Sequence, residues 1–339
     1  MSPETAATLA QPLVLSRRGR AMASDISLTV HWNADATRGA AESQISAIDR
    51  ALEVFHAVER ACTRFDPQSP LMVANSDGES WHEVPRECFL ALCEAERAHR
   101  ITAGRFDPRI LNDLLRLGYD STMRFPSPSA ILDRSQTIRQ DVSGDRPQRP
   151  RWQLGTIAGR HQVRIGPEPV DLGGIGKGLA VRWAAAEVAS SSAAGYLVDA
   201  GGDCHCGGTA PDGDKWKIAV EDPNGGSDPV VVLELTNRAC ATSSTRLRKW
   251  HDHGQPVHHL LDPRTGQPAG GGLASVTVVG RDAAMAEVWA KALFVEGLDR
   301  AGAIAARRGI AALWTDVAGH TAFSPAMATY ICWSRVALG

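Results

Sequence analysis

At 339 residues, with 43% hydrophobic, 22% charged and 6% aromatic residues, the chain has the composition of a globular protein with a sizeable core, which excludes the disordered and fibrous classes. The formal net charge of −2 provides no basic field for nucleic acid, and no run of about 20 apolar residues is present to span a membrane. Seven cysteines, an odd number at scattered positions, fit reduced core thiols better than a disulfide framework.

Residues 1–20 start polar and lack the basic flank and apolar core of a secretory signal, so they read as a flexible tail on a cytoplasmic protein, with one folded unit over 21–339. The run ISLTVHW within 21–34 alternates like a strand. Ile45, Ile48, Leu52, Phe55 and Val58 recur at steps of three or four and predict a helix over 39–62. A second helix is expected over 85–103, with Pro85 at its start and Gly104 beyond its end. Residues 136–153 are polar and Pro-containing and read as a surface loop. Short strands follow over 154–171, a helix over 177–194, and strands at 196–199, 216–221 and 230–236. A strand at 273–280, a helix at 283–297 and a last strand at 310–316 complete the outline. Strands and helices mix without a regular βαβ rhythm, which indicates an α+β fold.

Five segments carry residues suited to chemistry. Asp171 to Gly178 (DLGGIGKG) lies between strand and helix, where glycines admit a ligand to the backbone and a helix N-terminus with Lys177 attracts anions. It matches neither the Walker A spacing nor a dinucleotide fingerprint, so a plain tight turn stays open. Gly201, Gly202 and Asp203 follow an apolar strand. Cys204-His205-Cys206 behind them lacks the usual spacing of zinc ligands. Ala241 to Ser244 is a hydroxyl cluster that can meet phosphate oxygens or cap a turn. His259 and Asp262 in VHHLLDPRTG (257–266) can form a base and its orienting partner, or join His251 and His253 in a metal loop. On the last helix, Glu287 and Lys291 stand four apart in the favourable order, and an exposed ion pair is the plain reading.

Taken in order, these segments resemble those of the FAD:protein FMN transferase (ApbE) family, over roughly residues 20–300. Arg64 and Phe65 with Ser69 and Leu71 resemble its SRF…S-x-L region, Thr102 to Pro108 its T-G-x-F-D-P segment, and Gly118-Tyr119 the G-Y/F that follows. Residues 171–178 resemble DLGGIAKG, Gly201 to Asp203 resemble GGD/N, Ala241 to Ser243 resemble ATSG, and His259 to Gly266 resemble HIIDPRTG. The resemblance implies two mixed α/β lobes with a flavin cleft between them. It implies cleavage of FAD at its pyrophosphate and attachment of FMN, through a phosphoester, to a Thr or Ser of an acceptor with an FMN-binding domain. AMP is released, and the acceptors are often membrane-bound electron-transfer proteins. No nucleic acid or membrane insertion is expected.

Carried across residue by residue, the resemblance places Phe106, Asp107, Asp171, Gly173, Gly174, Ile175, Lys177, Gly202, Asp203, Thr242, Ser243, His259 and Lys291 around the flavin nucleotide. It gives catalytic parts to His259 as base, whose ordinary pKa near 6.5 suits the task, to Lys177, and to Asp262 as orienting group. The family's late helix carries an Asp and a Thr, four apart, that bind Mg²⁺ with a backbone carbonyl corresponding to Gly174. Glu287 and Lys291 stand there instead. Glu287 and Gly174 can still hold Mg²⁺, the ion can shift to Asp262, or the Lys291 ammonium can take its place. Ser244 stands where the family has Gly. The alternatives are an FAD-binding carrier without catalysis, an FAD pyrophosphatase giving FMN and AMP, and a histidine-loop metalloprotein.

Overall fold

The computed structural model describes residues 13–32, 38–119, 133–134, 152–191 and 193–335. Among these, the helices are α1 (Arg38–Cys62), α2 (Pro70–Ser76), α3 (Arg86–Ile101), α4 (Leu111–Arg116), α5 (Gly176–Ala189), α6 (Ala283–Glu296) and α7 (Leu298–Arg308). The central sheet has eight strands, numbered in chain order: β1 (Leu13–Ala21), β2 (Ser24–Trp32), β3 (Gly195–Ala200), β4 (Asp203–Gly208), β5 (Arg238–Ser244), β6 (Leu273–Gly280), β7 (Ala311–Asp316) and β8 (Thr321–Phe323). Their spatial order is their chain order, and every neighbouring pair is antiparallel. The α+β expectation is borne out.

Alternation along each strand divides the sheet's two faces. Ile26, Leu28 and Val30 of β2, Val198 of β3, Ala239 and Ala241 of β5, and Val276 and Val278 of β6 pack into the main core, which also takes buried residues of α1, α3, α5, α6 and α7. Residues of the other parity, among them Cys204, Cys206, Cys240 and Val279, pack against a second, three-stranded sheet of Trp216–Val220, Val231–Leu235 and Ile331–Ser334. Helix α6 is apolar on nearly all sides because the sheet, α5 and α7 all cover it.

Most predicted elements lie within a few residues of the observed ones. The tail expectation fails where it reaches Leu13: β1 pairs with β2 along its whole length. Arg17, Arg18 and Arg20 disguise β1 as tail, yet charged residues are what an edge strand carries to discourage further pairing. The expected loop at 136–153 falls outside the described residues up to 151, and Gln153 already opens a short strand. Residues 310–316 are not the last strand, since Thr321–Phe323 and Ile331–Ser334 follow. Residues 241–244, expected as a turn or cap, form the end of β5.

Candidate active site

Four pieces of chain converge beside the helix-covered face of the sheet. The first is the turn that enters α5. Asp171 accepts the Gly173 N–H at 2.7 Å on Oδ1, and the Asp171 N–H donates to the Pro108 carbonyl at 2.7 Å. These bonds join the glycine-rich turn to the Thr102–Pro108 segment. There, Thr102 ends α3, and its hydroxyl donates to the Ala98 carbonyl at 2.8 Å and accepts the Phe106 N–H at 3.1 Å. Gly178, in the first turn of α5, allows α5 and α6 to touch: a Cβ there would lie 2.6 Å from the Ala283 carbonyl oxygen.

The second piece is the tight β3–β4 turn, where Gly201 and Gly202 take φ of +63° and +94° and leave Asp203 at the head of β4. The third is β5 and the loop after it, and the fourth is α6. Lys177 on α5 forms an ion pair with Asp203, and its Nζ lies 3.7 Å from Glu287 on α6. Glu287 accepts the Gly178 N–H at 2.8 Å on Oε2 and the Lys291 ammonium at 2.9 Å on Oε1. Asp203 also accepts the Thr242 N–H at 3.2 Å. Glu287 and Lys291 are therefore not a surface pair: the side chains are 2% and 19% exposed. The plain reading fails because α6 has almost no solvent face.

The electrostatics follow from this packing. Burial pushes the Lys177 pKa down, but Asp203 and Glu287 outweigh it and raise it, so Lys177 is charged. Burial would raise Glu287, yet Lys291 and Lys177 hold it below the usual carboxylate range. Burial and the neighbouring Glu287 push Asp203 up in spite of Lys177. On the sheet's other face Asp199 rises to about 6 through burial and repulsion from Asp203. His259 is pushed well below its ordinary value by burial, then by Arg248, His258 and Lys291, so it is neutral near pH 7 rather than poised near 6.5.

Several expected site residues are engaged with the scaffold. Asp107 is bound by Arg109 through both Oδ1 and Oδ2, with His99 at 3.5 Å, and both members of the Asp107–Arg109 pair are almost fully buried. Burial would raise its pKa, but the His99 and Arg109 hydrogen bonds hold it well below the usual range. The Ile175 side chain is fully buried in the main core, leaving only its backbone to the turn. The Asp262 carboxylate is gripped by Arg264, with Nη2 at 2.7 Å, while His259 Nδ1 lies 3.3 Å from the Arg248 carbonyl; the two do not orient each other. Thr242 and Ser243 point to opposite faces of β5. The Thr242 hydroxyl bonds to that of Thr277 at 2.9 Å, whereas Ser243 Oγ is buried with no hydrogen-bond partner among the described residues.

The metal readings are tested by the same geometry. Alternation along β4 sends Cys204 and Cys206 into the second core and stacks His205 on Tyr196 at 5.8 Å, which separates the three. Among the described residues no group of three or more His, Cys, Asp or Glu side chains is placed to hold an ion. For Mg²⁺ at Glu287 and Gly174, both Glu287 oxygens are already engaged, and an ammonium has no lone pair to give. This donor set does not fit a divalent ion. Arg248, which the sequence reading passed over, makes no ion pair among the described residues, yet its charge acts on both Lys177 and His259. Nothing in its local sequence marks it. A hollow of about 350 Å³ lined by Arg238, Arg281, Met285, Trp289 and Tyr330 holds none of the convergent side chains. No described helix is long and apolar enough to cross a membrane.

The ApbE family model matches residues 22–314. An FAD:protein FMN transferase of Vibrio cholerae serotype O1 is 33% identical over 262 residues, 76% of this chain and 75% of the relative. One of Haemophilus influenzae is 27% identical over 234 residues, 68% of this chain and 66% of the relative. For one of Salmonella typhimurium, 30% identical over 48% of this chain, the share of the relative is 47%, so the chain spans about half to two thirds of the length of these last two. The fold is similar to the crystal structure of the ApbE protein from Thermotoga maritima, with a TM-score of 0.76 at 23% identity over 94% of this chain and 99% of the other.

Proposed function

Because the chain belongs to the ApbE family, we propose that it is an FAD:protein FMN transferase, which moves FMN from FAD onto a Thr or Ser hydroxyl of a flavoprotein acceptor. The observation that carries this reading is the buried cluster of Lys177, Asp203, Glu287 and Lys291 at the N-terminus of α5, with Arg248, which has no ion-pair partner among the described residues, close by. Three cations meet two carboxylates there, at the positive end of the α5 dipole, which is an environment for a polyanion such as a pyrophosphate.

The reaction follows from that environment. The acceptor oxygen forms a bond to the FMN-side phosphorus, the phosphorus–oxygen bond to AMP breaks, and AMP leaves with the bridging oxygen and its electron pair. Catalysis of such a transfer is mostly positioning and charge neutralisation. Lys177 and Arg248 supply charge, and the orphaned Ser243 hydroxyl supplies a donor that gains a partner when a phosphate oxygen arrives. His259 is the candidate base for the acceptor hydroxyl proton. Its neutral form can accept that proton, and the arriving pyrophosphate offsets the surrounding cations and makes it more basic.

The test is incubation of the full chain with FAD and an FMN-binding domain bearing an acceptor Thr, followed by intact mass and AMP. An acceptor heavier by one FMN phosphoester, with one AMP released per modification, is expected. Release of FMN and AMP without acceptor would identify a pyrophosphatase, and tight FAD binding without turnover would identify a carrier.

A further inference from the structure

The cluster contains a feature that the transfer reaction does not by itself require: a lysine built into the place where a divalent cation would be sought. Lys291 leaves α6 one helical turn after Glu287 and returns its ammonium to Glu287 Oε1 at 2.9 Å. The arm passes along the glycine-rich turn. A Cβ on Gly174 would lie 3.5 and 3.6 Å from Lys291 Cδ and Cε, and 3.0 Å from Phe106. Gly174, Phe106 and the lysine arm are thus packed against one another. Glu287 Oε2 is taken by the Gly178 N–H at 2.8 Å, and Lys177 stands 3.7 Å from Oε1.

Each of these contacts counts against a metal and for the ammonium. A carboxylate with both oxygens engaged would have to give up a hydrogen bond and an ion pair before it could ligate. Mg²⁺ would also sit within a few ångströms of a protonated amine, where like charges repel strongly in a poorly solvated site. The Lys291 side chain keeps 19% of its surface exposed, against 2% for Glu287, so the cluster is not closed off at the lysine.

We propose that Lys291 is the resident cation of this site: its ammonium, held on Glu287 beside Gly174, contacts the pyrophosphate of FAD, and FAD binding and FMN transfer need no divalent metal. This inference rests on the transferase reading given above. It differs from that reading in what it says about the ion.

The test separates the two. FAD binding to the full chain is followed by flavin fluorescence in EDTA and in Mg²⁺, Mn²⁺ binding by EPR in the presence of FAD, and folding of each variant by thermal melting. The wild type is expected to bind FAD equally in both conditions and to hold no stoichiometric Mn²⁺. Lys291→Met, which removes the charge and offers no oxygen, is expected to lose about 10-fold in affinity in both conditions, the loss of one charge-assisted hydrogen bond. Lys291→Thr, which frees Glu287 and adds an oxygen donor, is expected to lose affinity in EDTA and regain it with Mg²⁺. Wild-type FAD binding that strengthens about 10-fold with Mg²⁺, or stoichiometric Mn²⁺ in the FAD complex, would overturn the ammonium proposal and leave the transferase reading standing. Folded Lys291→Met that binds FAD as tightly as the wild type would also overturn the proposal. Absence of FAD binding in every condition would overturn both.

Discussion

Two of the buried charge clusters among the described residues, those around Asp107 and Asp203, differ in what their cations leave open. Around Asp107, one guanidinium fills the carboxylate bidentately, reaches Glu168 at 2.9 Å, and is 1% exposed, with Asp107 at 4%. Around Asp203, two ammoniums share two carboxylates across α5, β4 and α6, and the lysines remain 15% and 19% exposed. A planar guanidinium locked onto a carboxylate is a fixed joint of the scaffold. Lysines are point charges on flexible stems, so a cluster built from them can turn charge toward an anion at little structural cost. Asp107 and Arg109 hold the Thr102–Pro108 segment, and on the proposed reading Lys177 and Lys291 are the pair that meets the ligand.

Substitution in both clusters should separate stability from binding. Lys177→Ala leaves Asp203 and Glu287 short of a cation in a buried site, and Arg109→Ala strands Asp107. Each is expected to cost about 3–5 kcal/mol by thermal or urea unfolding. Only Lys177→Ala should lower FAD affinity per folded molecule. Loss of affinity in folded Arg109→Ala would break the distinction between the clusters.

The next effect is kinetic. His259→Ala is expected to slow acceptor flavinylation by about 100-fold or more while FAD affinity changes little, as read from initial rates and fluorescence titration. A loss of affinity with an unchanged rate at saturation would make His259 a ligand contact. Gly178→Ala tests the helix contact that brings Lys177 to Glu287. Its Cβ would press on backbone atoms of Ala283 and Ala284, so a loss of about 2–3 kcal/mol in stability is expected.

The smallest expected effect concerns Asp199, which lies on the opposite face from Asp203 but feels its charge. Its pKa of about 6 is raised above the unfolded value, so the folded state holds its proton longer and stability is lost as pH rises from about 4 through 6. Asp199→Asn removes that loss. Its melting temperature relative to wild type should rise from pH 5 to pH 7.5, and a pH-independent difference would remove the raised Asp199 pKa, with its burial and Asp203 repulsion, from the account.

Periodicity and glycine placement made the main helices and inner strands legible, since Leu28, Val30, Phe55 and Val58 report burial directly. β1 was hidden by its arginines, and β5 by a run of small hydroxyl residues that also suits turns. Within the site, the sequence showed Lys177, Asp203, Glu287 and Lys291 as separate residues of suitable chemistry. It could not show that Asp107 is consumed by Arg109 two residues later, or that Thr242 and Ser243 face opposite ways. Arg248 was illegible because its significance comes from a guanidinium without an ion-pair partner among the described residues, which is a property of its surroundings. The burial of Glu287 was illegible for a related reason: the i,i+4 spacing is the same on a solvated helix and on one covered by a sheet and two helices.

The central claim is that the open cluster receives the pyrophosphate, and titration of the full chain with FAD and with riboflavin tests it most directly, since only FAD carries that group. The account predicts FAD binding at least about 100-fold tighter than riboflavin in the wild type, a gap of two or more charge-assisted contacts, and collapse of that gap in folded Lys177→Met. Equal affinity for the two flavins, or a gap that survives the loss of Lys177, would contradict it.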